Sequence, residues 1–77
     1  MSLPIYLHAD GGHYVIATDH AFSMKMDDGR WEPAVLYRRV HRGPTNRWQY
    51  EGANQFATTK TRWAERFELT DQRTDML

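Results

Sequence analysis

A mainly β domain, folded as a small barrel or a bent antiparallel sheet with a short C-terminal helical turn, is what this sequence predicts. Apolar residues recur with a period of two in several short stretches, the spacing of half-buried strands. Asp- and Gly-rich breaks of the kind that reverse a chain separate those stretches. With 77 residues the chain is too short for two cores, so the strands belong to one domain. Residues 1–69 are assigned to it, and 70–77 to a flexible tail.

The elements follow in order. Pro4 to His8 alternates, with Ile5 and Leu7 on one face. Asp10-Gly11-Gly12 supplies a tight turn, because glycine accepts the positive φ that hairpins need. His13 to Thr18 is the returning strand, with Tyr14 and Ile16 on one face and Val15 and Ala17 on the other. Asp19 to Ser23 reads as a loop, Met24-Lys25-Met26 as a short alternating piece, and Asp27-Asp28-Gly29 as a second turn. Pro33 marks a strand edge or start, since it cannot donate to a ladder. Ala34 to His41 is the strongest strand: both its faces begin apolar, and its second half turns basic and emerges into solvent. After the loop Arg42-Gly43-Pro44-Thr45-Asn46, residues Arg47 to Glu51 alternate again, with Trp48 and Tyr50 facing back across a hairpin onto the Tyr37 strand.

A short strand near Phe56 comes next. Beyond it the spacing of Phe56, Lys60, Trp63 and Phe67 fits a helix, and that of Trp63, Glu65, Phe67 and Leu69 fits a strand equally well. Threonines at 58, 59 and 61 disfavour a long helix. The expectation is one or two helical turns over 61–68, capped by Thr61. Residues 70–77 have no periodicity and read as a frayed end.

Composition narrows the classes of function. A domain this small buries only about 60–65 % of its unfolded surface, so its margin of stability is thin. The absence of cysteine excludes disulfides and thiolate metal sites, and it fits a cytoplasmic location. Three tryptophans, four tyrosines and three phenylalanines must therefore fill much of the core, each burying ~150–250 Å². No apolar run approaches the ~20 residues of a membrane-spanning helix, and no basic start followed by an apolar segment marks a signal peptide. Ten basic and ten acidic residues cancel overall, which argues against general nucleic-acid coating. Their distribution is uneven. Residues 37–50 carry four arginines and no acid, whereas residues 1–36 carry five acids against two bases.

The series Gly12-His13-Tyr14-Val15, then Val35-Leu36-Tyr37-Arg38, then Trp63-Ala64-Glu65-Arg66-Phe67-Glu68 resembles a class of short bacterial and phage domains of unknown function. Those domains are similar in reading G-x-Y-x-V, a later V-x-Y-R and a terminal R-x-x-x-F. The resemblance touches about two thirds of the chain and implies a compact, SH3-like β fold. It implies no activity. The Met24–Trp31 insertion and the long 42–62 region depart from the pattern.

Few residues suggest chemistry. His8, Asp10 and His13 flank the first turn and are acceptable ligand types for zinc or iron, yet their spacing matches no metal motif, and solvated turn residues are the simpler reading. Asp19, His20 and Ser23 are triad residue types without the Gly-x-Ser-x-Gly elbow that activates a serine. Gly11-Gly12 lacks the lysine and hydroxyl of a phosphate loop. Asp27, Asp28 and Glu32 lack the ligand spacing of a calcium loop. The chain is therefore expected to be no enzyme and to carry no cofactor or metal.

The basic–aromatic stripe is the leading candidate: Tyr37, Arg38, Arg39 and Arg42, then Arg47, Trp48 and Tyr50. Guanidinium forks recognise carboxylates and phosphates, and exposed rings anchor partners or stack bases. The expected function is a protein-interaction module, a bacterial or phage accessory protein binding an acidic partner. Nucleic-acid binding through the same face is the alternative. The plainer reading puts Trp48 and Tyr50 in the core and leaves the arginines to solubilise the other face. With so many tryptophans, a second copy of the chain is a further candidate partner.

Overall fold

The computed structural model describes residues 2–18 and 22–75. The element order is β1 (Leu3–His8), β2 (Tyr14–Ala17), β3 (Phe22–Lys25), β4 (Trp31–Arg42), β5 (Trp48–Tyr50), β6 (Phe56–Thr59), α1 (Lys60–Arg66) and β7 (Phe67–Thr74). The seven strands form one antiparallel, bent sheet in the order β3-β4-β2-β1-β7, with β5 and β6 added on β4.

β4 organises the sheet. Its first half pairs with β3 (Lys25↔Trp31 to Phe22↔Ala34) on one edge and with β6 (Ala34↔Thr59 to Tyr37↔Phe56) on the other. Its second half pairs with β2 (Ala17↔Tyr37 to Tyr14↔Val40) and with β5 (Val40↔Tyr50 to Arg42↔Trp48). Hydrogen-bonded pairs alternate in an antiparallel ladder. Thr18 donates to the Leu36 carbonyl and Met26 to the Arg30 carbonyl, which turns the even-numbered main-chain groups of β4 toward β2 and β3. Odd-numbered groups face β6 and β5. Pro33 therefore lies inside the strand without breaking it: its missing N–H faces the side where β6 has already ended at Thr59.

Two hairpins use the same turn. Gly29 N–H donates to the Met26 carbonyl at 2.9 Å, and Asn46 N–H to the Gly43 carbonyl at 2.9 Å. The fourth residue of each turn is left-handed, with φ of +88° at Gly29 and +61° at Asn46. Asparagine is the side chain that best tolerates that conformation after glycine.

The sheet is covered unequally. On one face Ile5, Ile16 and Val40 are fully buried, with Leu3, Tyr14, Trp48 and Tyr50 packed around them. The sheet curls over this cluster: the Arg42 guanidinium on β4 reaches Gln72 Oε1 on β7 at 2.6 Å, although β2 and β1 lie between those strands. The barrel does not close. On the other face α1 lays Trp63 against Tyr6 (4.9 Å between ring centroids), Tyr37 (5.3 Å) and Phe67 (4.4 Å).

The C-terminal region departs from expectation. The helix starts at Lys60 and is capped by Thr59, not Thr61, the Thr59 hydroxyl accepting from Arg62 N–H at 3.2 Å. It ends at Arg66, where Phe67 turns extended. The expected tail from residue 70 is instead strand β7 as far as Thr74, paired with β1 from His8↔Phe67 to Leu3↔Thr74. A register shift between Pro4 and Tyr6 lets the Thr70 hydroxyl donate to the Ile5 carbonyl at 2.7 Å. The helical turn is thus internal, and the chain continues as a strand beyond it.

Two substitutions test this architecture. Ile16→Ala opens a cavity in the only fully buried cluster among the described residues. It should lower unfolding free energy by about 2–5 kcal/mol. A urea midpoint within error of the parent would contradict the packing. Gly29→Ala meets no atom within 4 Å, so its cost is conformational alone. The same measurement should show a loss of about 1–2 kcal/mol.

Candidate functional site

Six of the seven stripe residues lie in β4 and β5 and divide between two faces, because side chains alternate along a strand. Tyr37 and Arg39 lie on the face that α1 covers. Tyr37 packs on Phe56, Trp63 and Phe67 at 5.1–5.6 Å, and Arg39 sits over the Phe56 ring at 5.1 Å. Arg38 and Arg42 lie on the opposite face with Trp48 and Tyr50.

On that second face the register sets cation against ring. Arg42 is directly opposite Trp48, and its guanidinium stands 4.8 Å from the indole centroid. Arg38 lies two residues from Val40, the partner of Tyr50, and reaches diagonally over the Tyr50 ring at 3.6 Å. Both rings are half-buried below, against the Ile5–Ile16–Val40 cluster, and capped by guanidinium above. The arginines are themselves held. Arg38 Nη2 donates to the Gly52 carbonyl at 2.8 Å. Arg42 Nη1 donates to the Asn46 carbonyl at 2.9 Å, and its Nη2 to Gln72. Arg38 Nε is buried without a partner, the only such side-chain polar atom among the described residues.

Beside Trp48 the unclosed barrel leaves a cleft of about 630 Å³. Asn46, Arg47 and Trp48 of the β4–β5 hairpin form one bank, and Ser2, Arg73, Thr74 and Asp75 form the other. Among the described residues the Arg47 guanidinium makes no hydrogen bond or ion pair. Arg73 is oriented by Ser2, through Nε to the hydroxyl at 2.8 Å and Nη2 to the carbonyl at 2.9 Å. Among the described residues two lining arginines accompany one lining carboxylate, that of Asp75, and Arg42 is stacked on the lining Trp48. Arg73 was not among the candidates because residues 70–77 read as a tail. The alternation of Thr70, Gln72 and Thr74 was the available signal, and it lacks the apolar residues that make a strand conspicuous.

The other candidates resolve into turns. His8 and His13 do meet, rings 4.8 Å apart, and His8 Nδ1 lies 2.6 Å from Asp10 Oδ1. Among the described residues no three such side chains converge as a metal site. The Gly12 N–H holds the Asp10 carboxyl below its ordinary range, with His8 adding to the effect. Asp28 is engaged by the Arg30 N–H at 3.1 Å and Nε at 2.6 Å, which makes it a turn brace. Ser23 is exposed on β3, and Asp19 and His20 lie outside the described residues. Of the tryptophans, Trp31 is 66 % exposed, while Trp48 and Trp63 are half-buried. No helix among the described residues is long and apolar enough to cross a membrane.

His13 supplies a pH dependence. Partial burial lowers its pKa below the ordinary 6.5, with Arg39 and His8 adding in the same direction against Asp10 and Glu51. The unfolded chain then binds the proton more readily than the folded one. Stability should be complete above about pH 6.5 and fall as pH drops through the folded value. His13→Gln should flatten that slope in urea melts at about pH 7.5 and 5.5. An unchanged slope would assign the dependence elsewhere. No protein family matches the chain, and neither a curated protein nor a solved structure does.

Proposed function

We propose that this chain is a non-enzymatic interaction module that takes an acidic protein partner into the cleft between β5 and β7. The observation that carries the reading is the Arg47 guanidinium, without a hydrogen bond or ion pair among the described residues, facing Arg73 across an open cleft with Trp48 in its wall. A partly covered indole is the kind of group that anchors a protein contact, and arginines steer an acidic surface toward it. The net charge of zero makes the attraction local, so a partner is drawn to this cleft and not to the whole surface.

Titration of the full chain with poly-L-glutamate, followed by tryptophan fluorescence, tests the reading. Binding is expected, and Arg47→Glu/Arg73→Glu should weaken it about tenfold, or ~1.4 kcal/mol. Single-stranded DNA is the control. If DNA binds with an affinity that falls log-linearly and steeply with salt while polyglutamate does not bind, the cleft reads phosphates and the proposal is wrong.

A further inference from the structure

We propose that the outer edge of β5 accepts one extended, acidic segment of the partner protein, which adds as a further strand in the cleft. This rests on the acidic-partner reading above and specifies how that partner is held.

The main-chain directions carry the argument. Glu51 N–H donates to the Arg39 carbonyl at 3.0 Å, and Gly43 N–H to the Arg47 carbonyl at 2.8 Å. Both lie in the register that pairs Val40 with Tyr50 and Arg42 with Trp48. Alternation in an antiparallel ladder then turns the main-chain groups of Gln49 toward β4 and those of Trp48 and Tyr50 away from it. No strand among the described residues lies on that side, since β5 pairs with β4 alone. The Trp48 and Tyr50 N–H and C=O groups therefore form a short open edge.

Open edges are usually blunted by shortness, charged side chains, proline or a bulge. The β5 edge is short, at three residues, but carries no charge, proline or bulge within it: its register with β4 is unbroken, and Pro44 sits back in the turn. At Trp48 the edge opens onto a space of about 630 Å³, within the ~300–1,000 Å³ typical of ligand sites. On the far bank β7 pairs, among the described strands, with β1, so the cleft has a strand in each wall.

Side-chain chemistry selects the occupant. In an added strand, residues opposite Trp48 and Tyr50 share their face with Arg42 and the indole, and the intervening residues share a face with Arg47. Cross-strand pairs of opposite charge stabilise, and like charges directly opposite destabilise. An extended chain carrying carboxylates meets arginine on both faces, whereas a basic segment is repelled. Main-chain bonds supply affinity and the arginines supply selection, as in strand addition generally.

The test uses the full ¹⁵N-labelled chain and a synthetic peptide of alternating Glu and Val. Saturating peptide should slow amide hydrogen exchange at Trp48 and Tyr50 about tenfold or more. Two further peptides carry N-methyl groups on every Glu or on every Val. At least one should bind about tenfold more weakly, because methylation removes the N–H that pairs with β5. Polyglutamate or the parent peptide binding with no slowing at Trp48 and Tyr50, or both methylated peptides binding like the parent, would overturn strand addition while leaving the acidic-partner reading intact. If no acidic polymer or peptide binds at all, the acidic-partner reading fails and the inference falls with it.

Discussion

Twelve consecutive residues, Trp31–Arg42, carry the backbone ladder for four other strands, and most of the molecule depends on that sharing. One edge of β4 serves β3 and then β2, and the other serves β6 and then β5. Tyr37 and Val40 are paired on both sides at once. Because each partner occupies only part of β4, the two halves of the sheet need not be coplanar. The second half can curl while the first extends as a three-stranded ribbon. The long dimension of the molecule, 46 Å against 24 and 22 Å, is the result.

A small chain without disulfides must find stability elsewhere. Its fully buried aliphatic cluster consists of three residues, and rings on both faces do the remaining covering. On the α1 face they cover one another in a chain from Tyr6 through Trp63 to Phe67 and Tyr37. On the curled face the lids are guanidiniums. Arg38 and Arg42 lie across Tyr50 and Trp48, where contacts of this type contribute ~0.5–1 kcal/mol at exposed sites and more when desolvated. The arginines that look like binding residues in the sequence are therefore partly structural. The cations that line the cleft are Arg47 and the Ser2-braced Arg73, at the seam where the curl stops short of closure.

Residues within one hairpin were readable from the chain alone. Ile5, Ile16 and Tyr14 were placed on their faces by alternation, and Gly11 and Gly29 have the positive φ that their turn positions predict. Period two also separates Tyr37 and Arg39 from Arg38 and Arg42. Residues 60–74 were hard for a physical reason. Seven helical residues precede a strand of mostly polar side chains, so neither period is sustained long enough to declare itself.

Local sequence by itself determined the mainly β class, the turns at Asp10–Gly12 and Asp27–Gly29, and the facing of side chains in β1 and β2, because steric limits on φ and the pleat act over a few residues. Tertiary structure alone decided that β7 docks on β1, that Arg73 meets Ser2 across 71 positions of chain, and that a cleft remains between β5 and β7. The β1–β7 ladder is made by main-chain hydrogen bonds and the cleft by the curvature of the whole sheet, and these bring the Arg73 side chain to Ser2. Neither the ladder nor the curvature is tied to one local residue pattern, so a short stretch of sequence does not declare it.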